Sequence, residues 1–311
     1  MKLLKKCEVC GNKKFKFLFL CGDQDLGVPG VFNMVECKKC GFLFINPQPS
    51  FKELDRYYER ENYYINNKIR KSNQNKKIKL RLFLYNLYFN ENKNNVLLKI
   101  LFSPIKFMLR STKIGSNKRI LDIGCSSGQF LSEMKECGLE PHGIEPINFN
   151  SKTAKKLNIK KDLIYAKYKN NYFDVITLNH VLEHINNPNE ILKEIKRILN
   201  TRGYLIIGVP NKRCLAYWIF GKNWHQLDVP RHLFTYSDKI LIKLLRKSGF
   251  KIVKLRYNSR PSQFVKSFYF TFKIKNPNRY LTKVLELFVL PLTWIVNMIH
   301  LGGQVEVICK K

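Results

Sequence analysis

The segment RILDIGCSSG, residues 119–128, constrains the fold more than any other part of the chain. Arg119 to Gly124 is a short apolar stretch that predicts a strand, and CSSGQFLSEMKECG predicts a helix that ends at Gly138. Gly124 permits a tight turn, and Gly128 permits a ligand to approach the backbone where the helix starts. This order predicts an α/β domain that binds its ligand at the carboxyl ends of its strands.

Strands and helices alternate from residue 117 to residue 311. Six further strands are predicted: HGIEP, IKKDLIY, FDVITLNH, GYLIIGVPN, FKIVKLRY and QVEVICKK. Two further helices are predicted at NPNEILKEIKRILN and SDKILIKLLRKSGF, the second with Ser237 as its N-cap and Gly249 at its end. The pattern predicts a doubly wound, Rossmann-like α/β sheet of seven strands.

Two acids flank the glycine turn. Glu145 ends the second predicted strand, about twenty residues after the turn, where a carboxylate can accept hydrogen bonds from both hydroxyls of a ribose. Asp122 lies just before Gly124, and a carboxylate there would repel a pyrophosphate. The spacing also differs from the G-x-G-x-x-G of dinucleotide sites. An adenosine ligand without phosphate and with a cationic end fits better, and S-adenosylmethionine carries both an ammonium and a sulfonium.

Residues 1–50 contain the motif C-x-x-C-G twice, with Cys7 and Cys10 in the first copy and Cys37 and Cys40 in the second. Two cysteines at this spacing can direct both thiolates at one ion, and the glycine permits a positive φ that turns backbone N–H groups toward the sulfurs. Four thiolates predict a closed structural site, with zinc favoured over iron. The alternative is that these cysteines pack as small apolar side chains. Cys21 is not expected to be a ligand.

Two apolar segments leave alternatives open. In the predicted helical linker, residues 51–116, a basic amphipathic stretch around residues 77–88 fits either a helix that covers the core or cofactor, or a membrane-surface helix. The apolar insert at residues 259–303 is interrupted by Lys283, Glu286 and Pro291. It fits core packing, a homodimer contact or docking at a membrane interface.

The ordered motifs resemble those of class I S-adenosylmethionine-dependent methyltransferases. The resemblance covers about residues 117–311 and rests on ILDIGCSSGQFL, GIEP, FDVITLNHVLEHINNP and GYLIIGVPN, with Ser126 where that family commonly has a second glycine. The double cysteine motif and the segment WHQLDVPRHLFTYS narrow the resemblance. Together they are similar to zinc-ribbon-bearing methyltransferases of bacterial polysaccharide and sugar modification, which include relatives of sugar C-methyltransferases.

The resemblance implies a set of cofactor contacts. Asp122 and the backbone of Gly124 and Cys125 are expected near the aminoacyl end, and Gly128 beside the cofactor. Glu145 is expected to hold the ribose. Asp162 is expected near the adenine amine and Asn179 near the methionine portion.

A base is needed if the methyl acceptor is a hydroxyl or an acidic carbon, and several side chains are candidates for the reaction centre. The candidates are His180, Glu183, His184, His225, Asp228, Arg231 and His232. We expect His184 to be structural and His180, His225 or His232 to be the base. Arg231, in a predicted substrate loop at residues 211–238, is expected to bind an anionic group of the substrate. Trp218 and Trp224 fit either stacking on a sugar or core packing.

Charge and composition bear on partners and location. Lys and Arg number 56 and Asp and Glu 23, a formal net charge of +33, which fits either a polyanionic partner or compositional drift. No signature of nucleic-acid recognition stands out. The nine cysteines and the charged N-terminal segment favour the reducing cytoplasm, with peripheral attachment to the inner face of the membrane as an open alternative.

The expected function is methylation of a sugar, nucleotide-linked or lipid-linked and bearing a phosphate in some forms, with O-methylation slightly preferred over C-methylation. The alternatives are an RNA or protein methyltransferase, and a non-catalytic zinc-anchored scaffold.

Overall fold

The computed structural model describes residues 1–58, 80, 83, 97–98, 118–146 and 151–311. The predicted linker helices, including the amphipathic stretch, lie almost entirely outside the described residues. The chain divides into two compact units. One contains residues 1–61, 180–193 and 207–307, and the other contains residues 62–179, 194–206 and 308–311. The boundaries predicted from the sequence, 1–50, 51–116 and 117–311, stay a prediction, and the compact units group the residues differently.

The larger sheet has seven strands, as predicted. They are β4 (Arg119–Ile123), β5 (Glu140–Ile144), β6 (Ile159–Lys160), β7 (Phe173–Asn179), β8 (Leu199–Pro210), β10 (Lys251–Tyr257) and β11 (Gln304–Lys310). Their order is β10-β11-β8-β7-β4-β5-β6, and β4 pairs in parallel with both β5 and β7. The strand order reverses between β4 and β7, which is where doubly wound sheets bind ligands.

The smaller sheet has four strands in the order β1-β2-β3-β9. They are β1 (Phe15–Cys21), β2 (Phe32–Cys37), β3 (Leu43–Ile45) and β9 (Phe234–Thr235). Leu43 pairs with Thr235 and Phe44 with Phe234, so a distant segment completes the sheet of the cysteine-containing region. The rings of Phe42 and Phe234 stack at 5.4 Å, which adds apolar contact to this pairing.

Eight helices lie in the described residues. They are α1 (Phe51–Asp55), α2 (Gln129–Glu136), α3 (Ser151–Leu157), α4 (Pro188–Ile198), α5 (Leu215–Phe220), α6 (Asp238–Lys247), α7 (Pro261–Thr271) and α8 (Arg279–Met298). The predicted caps of α6 are confirmed: the Ser237 hydroxyl accepts from the Ile240 N–H, and Gly249 follows with φ of +80°.

Close packing around β5 fixes the glycine turn. A Cβ on Gly143 would lie 2.7 Å from the Cys125 sulfur, 2.8 Å from a Leu131 methyl and 3.0 Å from Ile159. Cys125, Leu131 and Ile159 belong to one buried apolar cluster. Because the backbone of Gly143 is not in the left-handed region, space alone requires glycine there.

Gly143→Ala should therefore destabilise the chain by about 1–3 kcal/mol, because the methyl group overpacks the turn. Urea unfolding measures the loss. The double variant Gly143→Ala/Cys125→Ala removes the sulfur nearest the new methyl, so its loss should be smaller than the sum of the two single losses. Strict additivity would show that this crowding does not decide the packing.

Candidate active site

The glycine turn is held by β5. The backbone N–H groups of Gly124 and Cys125 both donate to the Ile144 carbonyl, at 2.8 and 3.1 Å, and the Gly128 N–H donates to the Cys125 carbonyl at 3.0 Å. Gly124 has φ of +71° and Gly128 of +75°. Both values lie in the left-handed region, which glycine adopts without strain, and the tight turn at Gly124 is the one that the sequence allows for.

Gly128 also lies too close to α3 for any side chain. A Cβ there would be 2.8 Å from a Leu157 methyl and 3.2 Å from Thr153. The absence of a side chain lets the start of α2 pack against α3 and leaves backbone N–H groups at the turn. This is the cradle that a nucleoside cofactor requires.

The two acids that flank the turn are both buried. Thr177 Oγ1 donates to Asp122 Oδ1 at 2.6 Å, which fixes the Asp122 carboxylate beside β7. The Ser126 N–H donates to Glu145 Oε2 at 2.7 Å. Glu145 therefore braces the turn in addition to the ribose contact predicted for it, and small Ser126 is accommodated with φ of +50°.

The remaining predicted cofactor residues lie in different settings. Asn179 ends β7 and is half-buried. Asp162 is exposed, and its Oδ1 accepts from the Tyr165 N–H at 2.9 Å, so it stabilises a turn. The third strand is only Ile159–Lys160 because this turn interrupts the segment IKKDLIY. The adenine contact of Asp162 and the methionine contact of Asn179 stay predictions.

A fully buried carboxylate lies among three histidines in the other unit. Glu183 is in a 3₁₀ turn, Leu182–His184, with no exposed surface. His180 Nδ1 lies 3.3 Å and His232 Nε2 3.9 Å from Glu183 Oε1. Burial alone would raise the pKa of Glu183, but contact with His180 and the charges of His232 and His184 lower it on balance. Glu183 is thus a buried carboxyl group whose pKa depends on the neighbouring histidines.

His180 is the most accessible histidine of this group. Its side chain is 30% exposed, and its φ of +57° is unusual for a residue other than glycine. Its Nδ1 lies beside Glu183, and its Nε2 contacts the Gln304 side-chain amide. If Nδ1 carries the proton toward Glu183, Nε2 keeps a lone pair. His180 follows Asn179 directly in the chain.

The other two histidines of this group are held by backbone carbonyls. His184 Nδ1 lies 2.8 Å from the Arg231 carbonyl and 3.2 Å from the Tyr58 hydroxyl. Burial, together with the charge of His232, lowers the pKa of His184 to about 4. These contacts fit the structural role expected of His184. His232 is buried, and its Nδ1 lies 2.9 Å from the Gln226 carbonyl.

The predicted role of Arg231 in binding an anionic substrate does not fit the structure. Its side chain is fully buried, and its guanidinium donates to Asp23 at 2.8 Å, to Asp228 at 2.5 Å and to the Tyr57 carbonyl at 3.2 Å. Two carboxylates already surround this cation, so it is an internal ion pair. The polar residues around Arg231 favour a substrate loop, and nothing in the sequence indicates that Asp23, 208 residues away, pairs with it.

His225 is also enclosed. Its ring packs against Phe270 at 5.6 Å, and its backbone N–H donates to the Ser267 hydroxyl. Burial, with a further contribution from Lys266, lowers its pKa to about 4, so the ring is neutral at physiological pH. Trp224 is buried and packs against Tyr217, so for this residue the structure favours core packing over stacking on a sugar. The side chain of Trp218 is 58% exposed.

Several contributors to these sites had no sequence signal. Thr177 positions Asp122, Gln304 contacts His180, Tyr58 contacts His184, and Asp23 pairs with Arg231. Each lies at least 55 residues from its partner, so only the folded chain brings them together.

The four predicted metal ligands come together in the first unit. Cys7 Sγ lies 3.7 Å from Cys40 Sγ, and Cys10 Sγ lies 3.5 Å from Cys37 Sγ. All four sulfurs are within 4.8 Å of one another. Tetrahedral thiolates at the usual zinc–sulfur distance are separated by about 3.8 Å, so the spacing fits the ion. Cys21 is outside the cluster, and its thiol contacts the Phe32 carbonyl.

The two cysteine motifs have matching backbone geometry. Gly11 and Gly41 both have φ of +72°, and their N–H groups donate to the carbonyls of Cys7 and Cys37 at 2.8 and 2.9 Å. Burial raises the pKa of Cys37, but the N–H groups of Cys40 and Lys39 outweigh it and lower that pKa to about 7. Burial raises the pKa of Cys7 to about 11 and raises that of Cys40 as well, so of these three thiols Cys37 loses its proton most readily.

Comparison with known proteins gives several partial likenesses. An uncharacterized protein of Methanocaldococcus jannaschii, MJ0638, is 27% identical over 155 residues, which cover 50% of this chain and 64% of that protein, less than two thirds of its length. The ubiquinone biosynthesis O-methyltransferase of Pelagibacter ubique is 28% identical over 167 residues, 46% of this chain and 69% of that protein.

Among solved structures, a SAM-dependent methyltransferase from Archaeoglobus fulgidus has a TM-score of 0.44 at 21% identity and covers 74% of this chain and 99% of that chain. A family model described as a methyltransferase domain matches residues 97–255, just over half of the chain. That stretch contains the glycine turn, both flanking acids and the histidine-rich turn after β7. The chain therefore belongs to the class I S-adenosylmethionine-dependent methyltransferase family.

Proposed function

We propose that the chain methylates a hydroxyl of a sugar, carried as a nucleotide-linked or lipid-linked glycan, in surface-polysaccharide biosynthesis. The observation that carries the proposal of hydroxyl chemistry is the pair His180 and Glu183: a 30% exposed imidazole whose Nδ1 lies 3.3 Å from a fully buried carboxyl oxygen. Two relatives, from Pelagibacter ubique and Haemophilus ducreyi, are named O-methyltransferases, which supports oxygen over carbon as the methylated atom. The sugar itself rests on the resemblance of the cysteine motifs and residues 211–238.

The residues around the glycine turn fit the cofactor. S-adenosylmethionine, when bound, supplies a methyl group activated by a positively charged sulfur. The buried Asp122 and the N–H groups of the turn suit its ammonium and carboxylate, and Glu145 suits its ribose. Gly128 leaves the space that a side chain would fill.

His180 acts as the base in this proposal. Glu183 Oε1 lies 3.3 Å from Nδ1, where a carboxylate favours a proton on that nitrogen, so in this proposal Nε2 would take the proton of the acceptor hydroxyl. S-adenosylmethionine, when bound, would supply the methyl group that the hydroxyl oxygen receives. The products are a methyl ether, the demethylated cofactor and a proton on His180. Gln304 contacts the same Nε2, so the acceptor hydroxyl would have to displace its side-chain amide. The exposed Trp218 is a candidate to stack on a sugar.

We also propose that zinc occupies the four-cysteine cluster and stabilises the smaller sheet. Four sulfurs leave no open coordination position, so the ion is structural. Cys37 ends β2, which pairs with β3, and β3 pairs with β9. Metal binding therefore connects the N-terminal residues to the segment around residues 234–235 through a continuous sheet.

Glu145→Ala should weaken binding of S-adenosylmethionine by about tenfold or more, because it removes a charged acceptor of ribose hydroxyls and leaves the Ser126 N–H unpaired. Glu145→Gln keeps an oxygen for that N–H and should lose less. Isothermal titration calorimetry measures both. Glu140→Gln, at the exposed start of the same strand, is the control and should bind normally. Unchanged affinity in Glu145→Ala would refute the ribose contact.

His180→Asn should lower turnover by about 10²-fold or more and leave the affinity for S-adenosylmethionine unchanged, because it removes the base. Asparagine tolerates the left-handed backbone at this position. Mass spectrometry of candidate nucleotide sugars and lipid-linked sugars, incubated with the cofactor, measures the gain of one CH₂. His300→Asn, at an exposed histidine that also has a positive φ, is the control. Full turnover of His180→Asn would show that the base lies elsewhere.

The purified chain should contain one zinc ion, measured by elemental analysis. Cys37→Ser should lose the ion and unfold at a lower temperature, whereas Cys21→Ser, outside the cluster, should keep it. A chain that keeps its stability after the metal is removed by a chelator would contradict the structural role. Iron in place of zinc would be visible as absorbance of the protein.

A further inference from the structure

We infer that helix α8 and the tip of the α7–α8 hairpin dock onto an anionic phospholipid surface, with α8 lying in the membrane interface. The inference does not depend on the identity of the methyl acceptor. It rests on three observations: an exposed apolar face, a basic rim beside it and a rigid attachment of the hairpin within its unit.

The apolar face of α8 is unusually large for a surface helix. Only Thr293 and Val296 of this 20-residue helix are buried. Six large side chains, each 49–79% exposed, form the face: Leu281, Leu287, Phe288, Trp294, Ile295 and Met298. A contiguous apolar patch of this kind on a chain otherwise rich in charge marks an interaction surface. Core packing was one of the alternatives that the sequence left open, and the exposure of α8 argues against it.

The charged residues of the segment that carries the face are mostly basic. Residues 258–303 contain six basic residues and a single acid, Glu286. Four of the basic side chains are exposed at the hairpin tip and the first turns of α8: Lys273, Lys275, Arg279 and Lys283. Cations next to exposed Leu, Phe and Trp are the composition of helices that bind anionic lipid headgroups and insert apolar side chains beneath them. Tyr280 and Trp294 are residue types enriched at the membrane interface.

The hairpin is held in a fixed orientation within its unit. The Tyr269 hydroxyl of α7 contacts the Thr282 hydroxyl of α8 at 3.0 Å. Asn278 caps α8 by accepting from the N–H groups of Tyr280 and Leu281. At the other end, Asn297 accepts from the Ser259 N–H at 2.6 Å. The face is therefore preformed, and binding does not require the hairpin to fold.

Lying in the interface fits better than crossing the membrane. By length and composition, α8 is the one helix among the described residues that could span a bilayer. However, Lys283 and Glu286 lie within it, and one side packs on α7, so a spanning position would place charges and protein contacts in hydrocarbon. Strand β11 follows α8 after a few residues and belongs to the seven-stranded sheet.

A lipid surface is also favoured over a second copy of the chain. Two copies, each with a formal net charge of +33, repel one another. In a symmetric contact through this face, the same basic rim would be present on both sides. An anionic bilayer instead attracts the rim and covers the apolar side chains.

The test is co-sedimentation of the full chain with vesicles of phosphatidylcholine alone and of phosphatidylcholine mixed with phosphatidylglycerol. The wild type should bind the anionic vesicles at least tenfold more tightly. The triple variant Leu287→Ser/Phe288→Ser/Trp294→Ser should lose this binding while it keeps the far-UV circular dichroism and the urea-unfolding midpoint of the wild type, which report an intact fold. The control Phe17→Ser/Leu20→Ser/Tyr165→Ser replaces side chains of similar exposure elsewhere and should bind as the wild type does.

Lys273→Glu/Lys275→Glu should reduce the preference for anionic vesicles, because it reverses part of the basic rim. In a Trp218→Phe background, Trp294 is the exposed tryptophan, so its emission should shift to shorter wavelength with anionic vesicles. Failure of the wild type to sediment, or unchanged binding by the triple variant, would overturn the inference. So would a dimer in solution that the triple variant converts to a monomer, because the face would then be a contact between copies.

Discussion

The packing of the turn between β4 and α2 is the constraint on which the cofactor assignment depends. The turn has no room for side chains at Gly128, and its neighbour β5 has none at Gly143. Two N–H groups of the turn share the Ile144 carbonyl, and the next residue, Glu145, accepts from Ser126. The end of β5 therefore holds the glycine turn in place and is followed by one of the two flanking acids, Glu145. Any ligand of this cradle meets Glu145 and the buried Asp122, which favours a nucleoside with a cationic end.

The compact unit that contains residues 1–61, 180–193 and 207–307 has a network of buried charges. Arg231 pairs with Asp228 and Asp23, and Asp228 and Glu183 both lie close to His232. Burial would raise the pKa of Asp228, but His232 and Arg231 lower it to about 2. Removing one member of such a buried pair costs about 3–5 kcal/mol, because its partner is left as an uncompensated charge. This network connects the residues around Asp23 to the turn that holds Glu183, and so it fixes the carboxylate that orients His180.

Sequence patterns were sufficient for the parts of the molecule that depend on local chemistry. The glycine turn, the positions of the seven strands, the caps of α6 and each C-x-x-C-G motif follow from spacing and periodicity, because each is decided by residues close in sequence. Arg231 shows where this reasoning fails. Its neighbours suggested a substrate loop, but its partner Asp23 is 208 residues away. The same applies to β9, whose two residues complete a sheet begun at Phe15. The exposure of α8 was likewise undecided, since an apolar helix has the same composition in a core and at a membrane.

We propose that the glycine turn and its two acids bind a phosphate-free nucleoside. Calorimetric titration of the wild-type chain with S-adenosylmethionine and, separately, with NAD⁺ tests it most directly. We expect saturable binding of one S-adenosylmethionine per chain and no binding of the dinucleotide, whose pyrophosphate would face Asp122. Tight binding of NAD⁺ that excludes S-adenosylmethionine, or no binding of either, would contradict it.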